Sequence, residues 1–284
     1  MPKIFIIAEI GINHNGSLIK AKKLIKAAKE AGADAVKFQK RNPDQSVPDD
    51  MKNIPKNTPW GKMSYLDYKK RIELPDKDYI EIDRFCHALS ISWFASTWDE
   101  PSFEFINSFD PPFHKIPSAM LINIPLIKRI AEAKKKTFIS TGMSKMEDIR
   151  RVVHIFRSKK TDFVLMHTTS SYPTNVYEIN LKMISRLAKE FNVPVGYSGH
   201  EKGFIATIGA AALGAVAIER HLCLTKDSWG SDISSSLTPE EFKEMVRAIR
   251  YIEKAKGTDK KRIFPFEIPA LIKLRGIKDA KNSI

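Results

Sequence analysis

Eight short apolar runs alternate with helix-patterned stretches along most of this sequence. The runs start at residues 4–8 and end at residues 216–218, and the stretches between them repeat apolar residues every three or four positions, as Leu18, Ala21 and Ile25 do. Eight strand-then-helix units in about 250 residues predict an α/β fold, a closed parallel (β/α)8 TIM barrel. A doubly wound sheet is the alternative, weakened because no GxGxxG loop follows the first run.

The chain is expected to form one catalytic barrel over residues 1–284, with one long insertion and a short tail. The insertion, residues 40–75, is rich in Pro, Asn and Asp. A structureless loop of that length in a compact domain is usually functional, often a lid. The tail, residues 255–284, is basic and carries the apolar patch IPALI at 268–272, which we expect to pack under the barrel.

Composition argues against several other classes of protein. Hydrophobic residues make up 43% and charged residues 28% of the chain, which is ordinary for a globular protein. No apolar run approaches the roughly 20 residues that span a bilayer, and the short apolar N-terminus is typical of a strand rather than a signal peptide. Two isolated cysteines, Cys86 and Cys223, indicate a reducing compartment, which we take to be the cytoplasm.

The basic charge of the chain allows more than one interpretation. Lys plus Arg is 47 and Asp plus Glu is 33, which gives a formal net charge of +14. Nucleic-acid binding or steering of an anionic substrate would use such a charge. A lysine-rich solvated surface explains it more simply, because no nucleic-acid-binding signature accompanies it.

Chemically capable side chains stand at the carboxyl end of every predicted strand. In chain order they are Glu9, Lys37, Gln39, Ser96, Thr97, Lys115, Ser118, Ser140, Thr141, His167, Thr168, Thr169, Ser198, His200, Glu219 and His221. A parallel barrel brings all these strand ends to one rim, where barrel active sites lie. The sequence therefore predicts a polar site on that rim.

Two lysines of this set point to an anionic ligand. Lys37 and Lys115, together with the hydroxyls of Ser118, Ser140 and Ser198, suit a phosphate or a carboxylate. A solvated surface charge is the alternative for each lysine. It is weaker than usual here because both lysines fall in strands expected to be buried, where an unpaired ammonium is costly.

Two histidines of the set suit a metal. His200 and His221 lie on neighbouring strand ends, as two imidazole ligands of one divalent ion would, although either could be a hydrogen-bonded core histidine. Cys223 is either a third ligand or, more simply, a small buried hydrophobic residue. Asp232 either binds the metal or a sugar hydroxyl, or it caps a turn.

The motifs at these positions resemble those of one family. IAEIGINHNG, VKFQ, KIPS, STGM, HTTSSYPT, GYSGH and IERH occur in the order found in the sialic acid (N-acetylneuraminate) synthases, which include legionaminate and pseudaminate synthases. The resemblance covers roughly residues 3–275, and the chain is more distantly similar to the barrel of 3-deoxy-octulosonate 8-phosphate synthase.

The resemblance implies a reaction. Phosphoenolpyruvate condenses with an open-chain N-acylated hexosamine, releasing phosphate and giving a nonulosonic acid. N-acetylmannosamine or a 2,4-diacetamido-trideoxyhexose would be the acceptor. A divalent metal is implied, Mn2+ first, with Mg2+ or Co2+ as alternatives.

The same resemblance implies a role for individual residues. Phosphoenolpyruvate would be bound by Lys37, Thr97, Lys115, Ser118, Ser140, Ser170 and Ser198. The sugar would be oriented by Glu9, Gln39, Tyr172 and Asp232. The metal would be held by His200 and His221. Catalysis would fall to Glu9, Lys37, Lys115 and His221.

Three features depart from the family pattern. Met120 stands where the family usually has an acidic residue, which leaves the proton carrier open, and Ser170 stands where an asparagine is common. The sequence ends at Ile284 without a segment like the family's C-terminal antifreeze-like domain. That domain covers the partner's active site and contributes an arginine.

The insertion is the expected substitute for that missing cover. Residues 40–75 carry Trp60, Tyr65, Lys69 and Arg71, side chains able to close over a sugar. The family's dimers exchange the C-terminal domain, so the resemblance leaves only a homodimer through the barrels as an expected assembly.

Two other functions stay open at this point. A TIM-barrel metallohydrolase acting on a phosphorylated or carboxylated sugar would also use a two-histidine metal, but the His-x-His pair usual on its first strand is missing. A non-catalytic basic scaffold for nucleic acid would leave the strand-end pattern unexplained. The expected partners are phosphoenolpyruvate and an amino sugar, with neither nucleic acid nor a membrane.

Overall fold

A computed structural model describes residues 3–276 and shows a closed barrel of eight parallel strands. The strands among these described residues are β1 (Phe5–Gly11), β2 (Ala35–Lys40), β3 (Pro55–Thr58), β4 (Gly61–Ser64), β5 (Ser92–Thr97), β6 (His114–Ile116), β7 (Thr137–Ser140), β8 (Phe163–His167), β9 (Val195–Gly199) and β10 (Ala217–His221). The order around the barrel is β1-β10-β9-β8-β7-β6-β5-β2, while β3 and β4 form a separate antiparallel hairpin. This confirms the predicted (β/α)8 fold and excludes the doubly wound sheet.

Helices follow the barrel strands in the predicted order. Their bounds are α1 (Leu18–Glu30), α2 (Pro43–Ser46), α3 (Asp49–Lys52), α4 (Tyr65–Ile72), α5 (Asp76–Ala88), α6 (Glu100–Asn107), α7 (Ile124–Glu132), α8 (Met146–Ser158), α9 (Lys182–Phe191), α10 (Ile205–Ala212), α11 (Pro239–Ala255) and α12 (Ile268–Arg275). In α1 the Ser17 hydroxyl accepts a hydrogen bond from the Lys20 amide and so caps the first turn. Within residues 3–276 no helix has both the length and the apolar character that crossing a bilayer requires.

The chain divides into two compact units, Met1–Glu253 and Lys254–Ile284. The first contains the barrel. The second contains α12, which includes the predicted IPALI patch. That this patch packs under the barrel stays a prediction, and residues 277–284 of the predicted tail lie outside the described residues.

The inside of the barrel changes from apolar to polar along five of its eight strands. An apolar layer toward the amino ends of the strands is formed by Ile7, Ala35, Phe94, Phe138, Val164, Met166 and Ala217. Two residues further along, the period of a strand puts Glu9, Lys37, Ser96, Ser140 and Glu219 on the same inward face. The polar layer therefore lies next to this apolar layer, on the carboxyl side of the barrel.

The long insertion has secondary structure of its own, contrary to the expectation of a structureless loop. It consists of α2, α3, the β3–β4 hairpin and α4. Tyr68 and Ile72 of α4 are buried in a cluster with Ile12 of the β1–α1 loop, and Trp229 of the loop after β10 packs against them. The insertion is thus anchored on loops at the carboxyl side of the barrel.

A buried ion pair joins the ends of β9 and β10. Arg220 is fully buried, and its guanidinium donates to Glu201 Oε1 at 2.9 Å and to the Ser235 carbonyl at 3.2 Å. The hydroxyls of Tyr197 and Thr207 donate to the same carboxylate at 2.9 Å and 2.7 Å. Each charge is therefore neutralised and hydrogen-bonded, which is the condition for tolerating charge inside a protein.

Replacing Arg220 tests this account. Arg220→Met should lower the free energy of unfolding by about 3–5 kcal/mol, because the Glu201 carboxylate would stay buried without its partner. Urea denaturation measures the effect. Arg186→Met is the matched control, because its partner Glu190 forms an ion pair at the surface, and it should cost less than about 1 kcal/mol. Equal, small losses for the two variants would contradict the assignment.

Candidate active site

A cavity opens at the carboxyl ends of the barrel strands. Most of the predicted site residues line it: Glu9, Lys37, Gln39, Lys115, Ser118, Ser140, Ser170, Tyr172, Ser198, His200 and His221. The structure therefore gathers into one cavity side chains that are more than 200 positions apart in the sequence.

Two predicted site residues do not line the cavity. Thr97 is buried, but the alternation of β5 directs its neighbour Ser96 inward instead, and Ser96 Oγ accepts a hydrogen bond of 2.7 Å from Lys37 Nζ. Asp232 lies beside the cavity, with Oδ2 at 3.7 Å from His221 Nδ1. Asp232 thus remains next to a lining residue, whereas Thr97 faces away from the cavity.

A buried network of two lysines and two glutamates forms the floor of the cavity. Lys37 Nζ lies 2.8 Å from Glu9 Oε2 and 3.7 Å from Glu219 Oε1. Lys115 Nζ lies 3.4 Å from Glu219 Oε2 and also donates to the hydroxyl of Ser140. All four charged side chains are almost inaccessible to solvent. Two positive and two negative charges therefore compensate one another here.

The network shifts the pKa values of its members in opposite directions. Burial raises the pKa of Glu9, and the nearby Lys37 ammonium only partly offsets this. Burial lowers the pKa of Lys115, with Glu219 opposing the shift. For Glu219 burial acts upward, but the ammonium groups of Lys115 and Lys37 outweigh it and hold the pKa below its usual range. Glu219 is therefore the ionised partner of both lysines.

Hydroxyl groups and a backbone amide form a cradle beside the lysines. Ser118 Oγ accepts a hydrogen bond of 3.2 Å from the Gly142 amide. A Cβ atom at Gly142 would lie 2.3 Å from Ser170 Oγ and 2.8 Å from Ser118 Oγ, so only glycine fits this position. The hydroxyls and this close backbone approach match the donors that bind phosphate oxygens.

Two neutral histidines stand side by side on another wall of the cavity. The ring centroids of His200 and His221 are 5.4 Å apart. His200 Nδ1 donates to the Thr169 carbonyl at 2.8 Å, which leaves Nε2 with a free lone pair. Burial, followed by the charge of His221, lowers the pKa of His200 to about 4, and burial also lowers that of His221. Both rings are thus in the neutral form that binds metals.

The pair fits the ligand set of one divalent metal. His221 Nδ1 is buried without a hydrogen-bond partner, which is an unsatisfied position that a metal ion or its ligands would fill. In the part of the chain that the structure describes, no group of three or more His, Cys, Asp and Glu side chains has metal-binding geometry. Water and substrate would therefore occupy the other positions, as at open catalytic sites.

Cys223 behaves as a small buried side chain. Its Sγ lies 3.6 Å from the Leu237 carbonyl, and burial raises the pKa of the thiol to about 11. A thiol of raised pKa is a poor metal ligand, because the thiolate is the form that binds.

Six lining residues were not assigned a role from the sequence, and three of them can form hydrogen bonds through their side chains, namely Ser96, Trp98 and Glu219. The period of two could have identified Ser96 and Glu219, because they lie two positions beyond the inward-facing Phe94 and Ala217. Trp98 follows the end of β5, and no sequence pattern indicated that it would line the cavity.

Met120, which stands where the family usually has an acidic residue, is half-buried and packs against the barrel core. Glu9 and Glu219 are therefore the carboxylates that line the cavity within residues 3–276.

Several known proteins with related sequences are synthases. Over 273 residues the chain is 38% identical to N-acetylneuraminate-9-phosphate synthase of Homo sapiens, which covers 95% of this chain and 76% of that protein. It is 37% identical to N,N'-diacetyllegionaminic acid synthase of Legionella pneumophila, with 93% and 76% covered.

A solved structure of the same kind superposes on the fold. It is N-acetylneuraminic acid (sialic acid) synthetase from Leptospira borgpetersenii, with a TM-score of 0.88, 29% identity and coverage of 98% of this chain and 93% of that one. Residues 24–261 match the model of the NeuB family. This match, which spans most of the barrel, and the identity to full-length synthases show that the chain belongs to the NeuB family.

Proposed function

We propose that this protein condenses phosphoenolpyruvate with the open-chain form of an N-acylated hexosamine and releases inorganic phosphate. One observation carries the proposal: a single cavity places two buried ammonium groups and several hydroxyls beside two neutral histidines. The first set suits an enol phosphate, and the second suits a metal that acts on a carbonyl group. N-acetylmannosamine or a 2,4-diacetamido-trideoxyhexose is the corresponding acceptor.

The two lysines supply the charge for the first substrate. In the free protein Lys37 and Lys115 face Glu219, at 3.7 Å and 3.4 Å. The phosphate and carboxylate groups of phosphoenolpyruvate replace the Glu219 carboxylate as the partners of these two lysines. The hydroxyls of Ser118 and Ser170 hold the phosphate oxygens, and these fixed donors stabilise charge that builds up as the C–O bond breaks.

The acceptor sugar lies between the lysines and the histidines. Gln39 Nε2 donates to Glu9 Oε1 at 3.0 Å, so the two side chains present a paired donor and acceptor to sugar hydroxyls. Tyr172 packs its ring 4.2 Å from that of His200 and forms the adjoining wall. Held in this way, the aldehyde carbon and C3 of the enol meet in one orientation, which removes much of the entropic barrier.

A metal site completes this arrangement. His200 and His221 would hold the ion, Mn2+ in our proposal, with Mg2+ or Co2+ as alternatives. When bound, the ion supplies Lewis-acid polarisation of the aldehyde oxygen. Asp232 Oδ2 lies 3.7 Å from His221 Nδ1, so its negative charge faces the same wall and favours a cation there.

Glu219 is the proposed proton acceptor. It takes the role of the acidic residue that the family usually has where this chain has Met120. Its Oε1 accepts a hydrogen bond of 3.0 Å from Ser198, which keeps the carboxylate at the floor of the cavity. Once phosphoenolpyruvate engages both lysines, the charges that lower the pKa of Glu219 are shared with the substrate. Glu219 then takes a proton from the water that adds to C2.

The proposal also includes the setting in which the protein works. Both cysteines, Cys86 and Cys223, are free and buried, which fits a reducing cytoplasm. Its partners are the two small substrates, and a homodimer through the barrels remains a prediction. The metallohydrolase alternative finds no support, because the family and the named relatives are synthases.

Phosphate release tests the reaction directly. Phosphoenolpyruvate is supplied with a panel of aldoses led by N-acetylmannosamine and 2,4-diacetamido-2,4,6-trideoxymannose, with Mn2+ or with a chelator. We expect inorganic phosphate to appear only when both a sugar and the metal are present. Failure of the protein to bind phosphoenolpyruvate at all would refute the proposal.

Glu219→Gln tests the assigned proton acceptor. The amide keeps the shape of the side chain but accepts no proton, so kcat should fall about 10²–10⁴-fold. The Kd for phosphoenolpyruvate should not rise, because the substrate no longer competes with a carboxylate for the lysines. Glu240→Gln, on exposed α11 surface, is the control and should leave both values unchanged. A kcat close to that of the unmodified enzyme would exclude the role.

A further inference from the structure

Arg41 is a buried arginine next to one wall of the candidate active site. It follows β2 and is only 6% exposed, and it does not itself line the cavity, whereas Gln39 and Trp98 do. Its guanidinium donates to the side-chain oxygen of Gln39 and stacks 4.3 Å over the ring of Trp98. Arg41 therefore contacts two lining side chains without being part of the cavity surface.

The insertion holds Arg41 in place through an ion pair. Arg41 Nε lies 2.8 Å from Oε1 of Glu73, the residue that follows α4, and the two side chains are only 6% and 10% exposed. A guanidinium presents five N–H donors in a rigid planar fork. One side chain therefore pairs with Glu73, donates to Gln39 and covers the indole of Trp98 at the same time.

This network gives the Gln39 amide one orientation. Its oxygen accepts from Arg41, and its Nε2 donates to Glu9 Oε1 at 3.0 Å. Glu9 alone would not fix that orientation, because burial raises the pKa of its carboxyl to about 7, and a protonated carboxyl can donate as well as accept. Arg41 removes the ambiguity, since a guanidinium has no acceptor and can face only the amide oxygen.

The orientation of the amide decides what this wall offers to a ligand. With its oxygen occupied by Arg41 and one N–H directed at Glu9, Gln39 has its second N–H left for the cavity. An amide free to turn over would present its oxygen in part of the molecules and would bind a donor at the same place. A fixed donor selects an oxygen lone pair of the ligand, and such fixed polar groups are a strong source of specificity.

We propose that Arg41 is a positioning residue that, held by Glu73, locks the Gln39 amide with its N–H groups toward Glu9 and the cavity and so fixes the donor that meets the acceptor sugar. Arg41 acts through Gln39 and touches neither substrate. The inference rests on the proposed function for the identity of the ligand. The orientation of Gln39 is a property of the free protein and can be measured without any ligand.

The state of the Gln39 amide can be observed directly, because the chain contains only two glutamines, Gln39 and Gln45. Labelling glutamine side chains with ¹⁵N gives two amide signals in NMR spectra, and Gln45, exposed in α2, is the internal reference. Arg41→Met should make hydrogen exchange of the Gln39 amide about tenfold faster, because a hydrogen bond to a charged group is lost. The exchange of Gln45 should not change.

Lys40→Met is the matched control, because Lys40 is the neighbouring cation and also combines an ion pair with an aromatic contact. Its Nζ lies 2.7 Å from Asp76 Oδ1 and 5.2 Å from the ring centroid of Tyr79. The control should leave the exchange of both glutamine amides unchanged. Equal effects of Lys40→Met and Arg41→Met would overturn the inference.

Arg41→Lys keeps a positive charge opposite Glu73 and so protects the fold if Arg41→Met does not. A lysine is a point charge on a flexible stem and does not hold the amide oxygen as a planar fork does, so the exchange of Gln39 should again be faster. Unchanged exchange of Gln39 in a folded Arg41 variant would contradict the positioning role.

Turnover separates this inference from the proposed function. Arg41→Met should raise KM for the acceptor sugar about tenfold and leave KM for phosphoenolpyruvate unchanged, and in a Gln39→Met background it should have no further effect. Additive losses in the double variant would reject the positioning role and leave the synthase assignment standing. A protein that releases no phosphate with any sugar but keeps the amide response would reject the reaction and leave the positioning of Gln39 standing.

Discussion

The structure depends on the compensation of four charges inside the barrel. Lys37 and Lys115 could not remain buried without Glu9 and Glu219, because an isolated ammonium in such surroundings would lose its proton or unfold its strand. The set is electrically neutral and closed from below by apolar side chains such as Phe94 and Phe138. The same network makes the proposed site usable, because the two ammonium groups can exchange the Glu219 carboxylate for the phosphate and carboxylate of the substrate, and Glu219 then becomes able to accept a proton.

The histidine side of the cavity depends on a second buried pair. Glu201 follows His200 and Arg220 precedes His221, so their ion pair of 2.9 Å joins the two strand ends that carry the imidazoles. Rigid strands of this kind position ligands more accurately than loops do. The lysine side and the histidine side of the cavity therefore depend on separate charge pairs, and both include a residue of β10.

Most of the fold and the location of the site follow from periodicity. Strong repeats of two and of three to four predict strands and helices with little tertiary information, and a parallel barrel collects the strand ends on one rim. Single positions are harder, because a shift of one residue reverses the face of a strand. Thr97 was expected in the site, but Ser96 occupies that place.

The internal structure of the insertion could not be predicted from the sequence. Its short helices and hairpin are held by contacts far apart in the chain, such as the Tyr68 ring 5.4 Å from that of Trp229. No local pattern indicates that pairing. The same holds for ion pairs, because the acidic partner of a lysine is decided by neighbours brought together only in the folded chain, as with Lys70 and Asp44, whose Nζ and Oδ1 atoms lie 2.7 Å apart.

Proton uptake on binding of phosphoenolpyruvate tests the central charge compensation most directly. Burial lowers the pKa of Lys115 in the free protein, and a bound trianion raises it again, so binding must add protons at about pH 8. Calorimetry with a chelator, in two buffers of different ionisation enthalpy, measures the number. The account predicts net uptake that diminishes in Lys115→Met, whereas no uptake, or proton release, would contradict it.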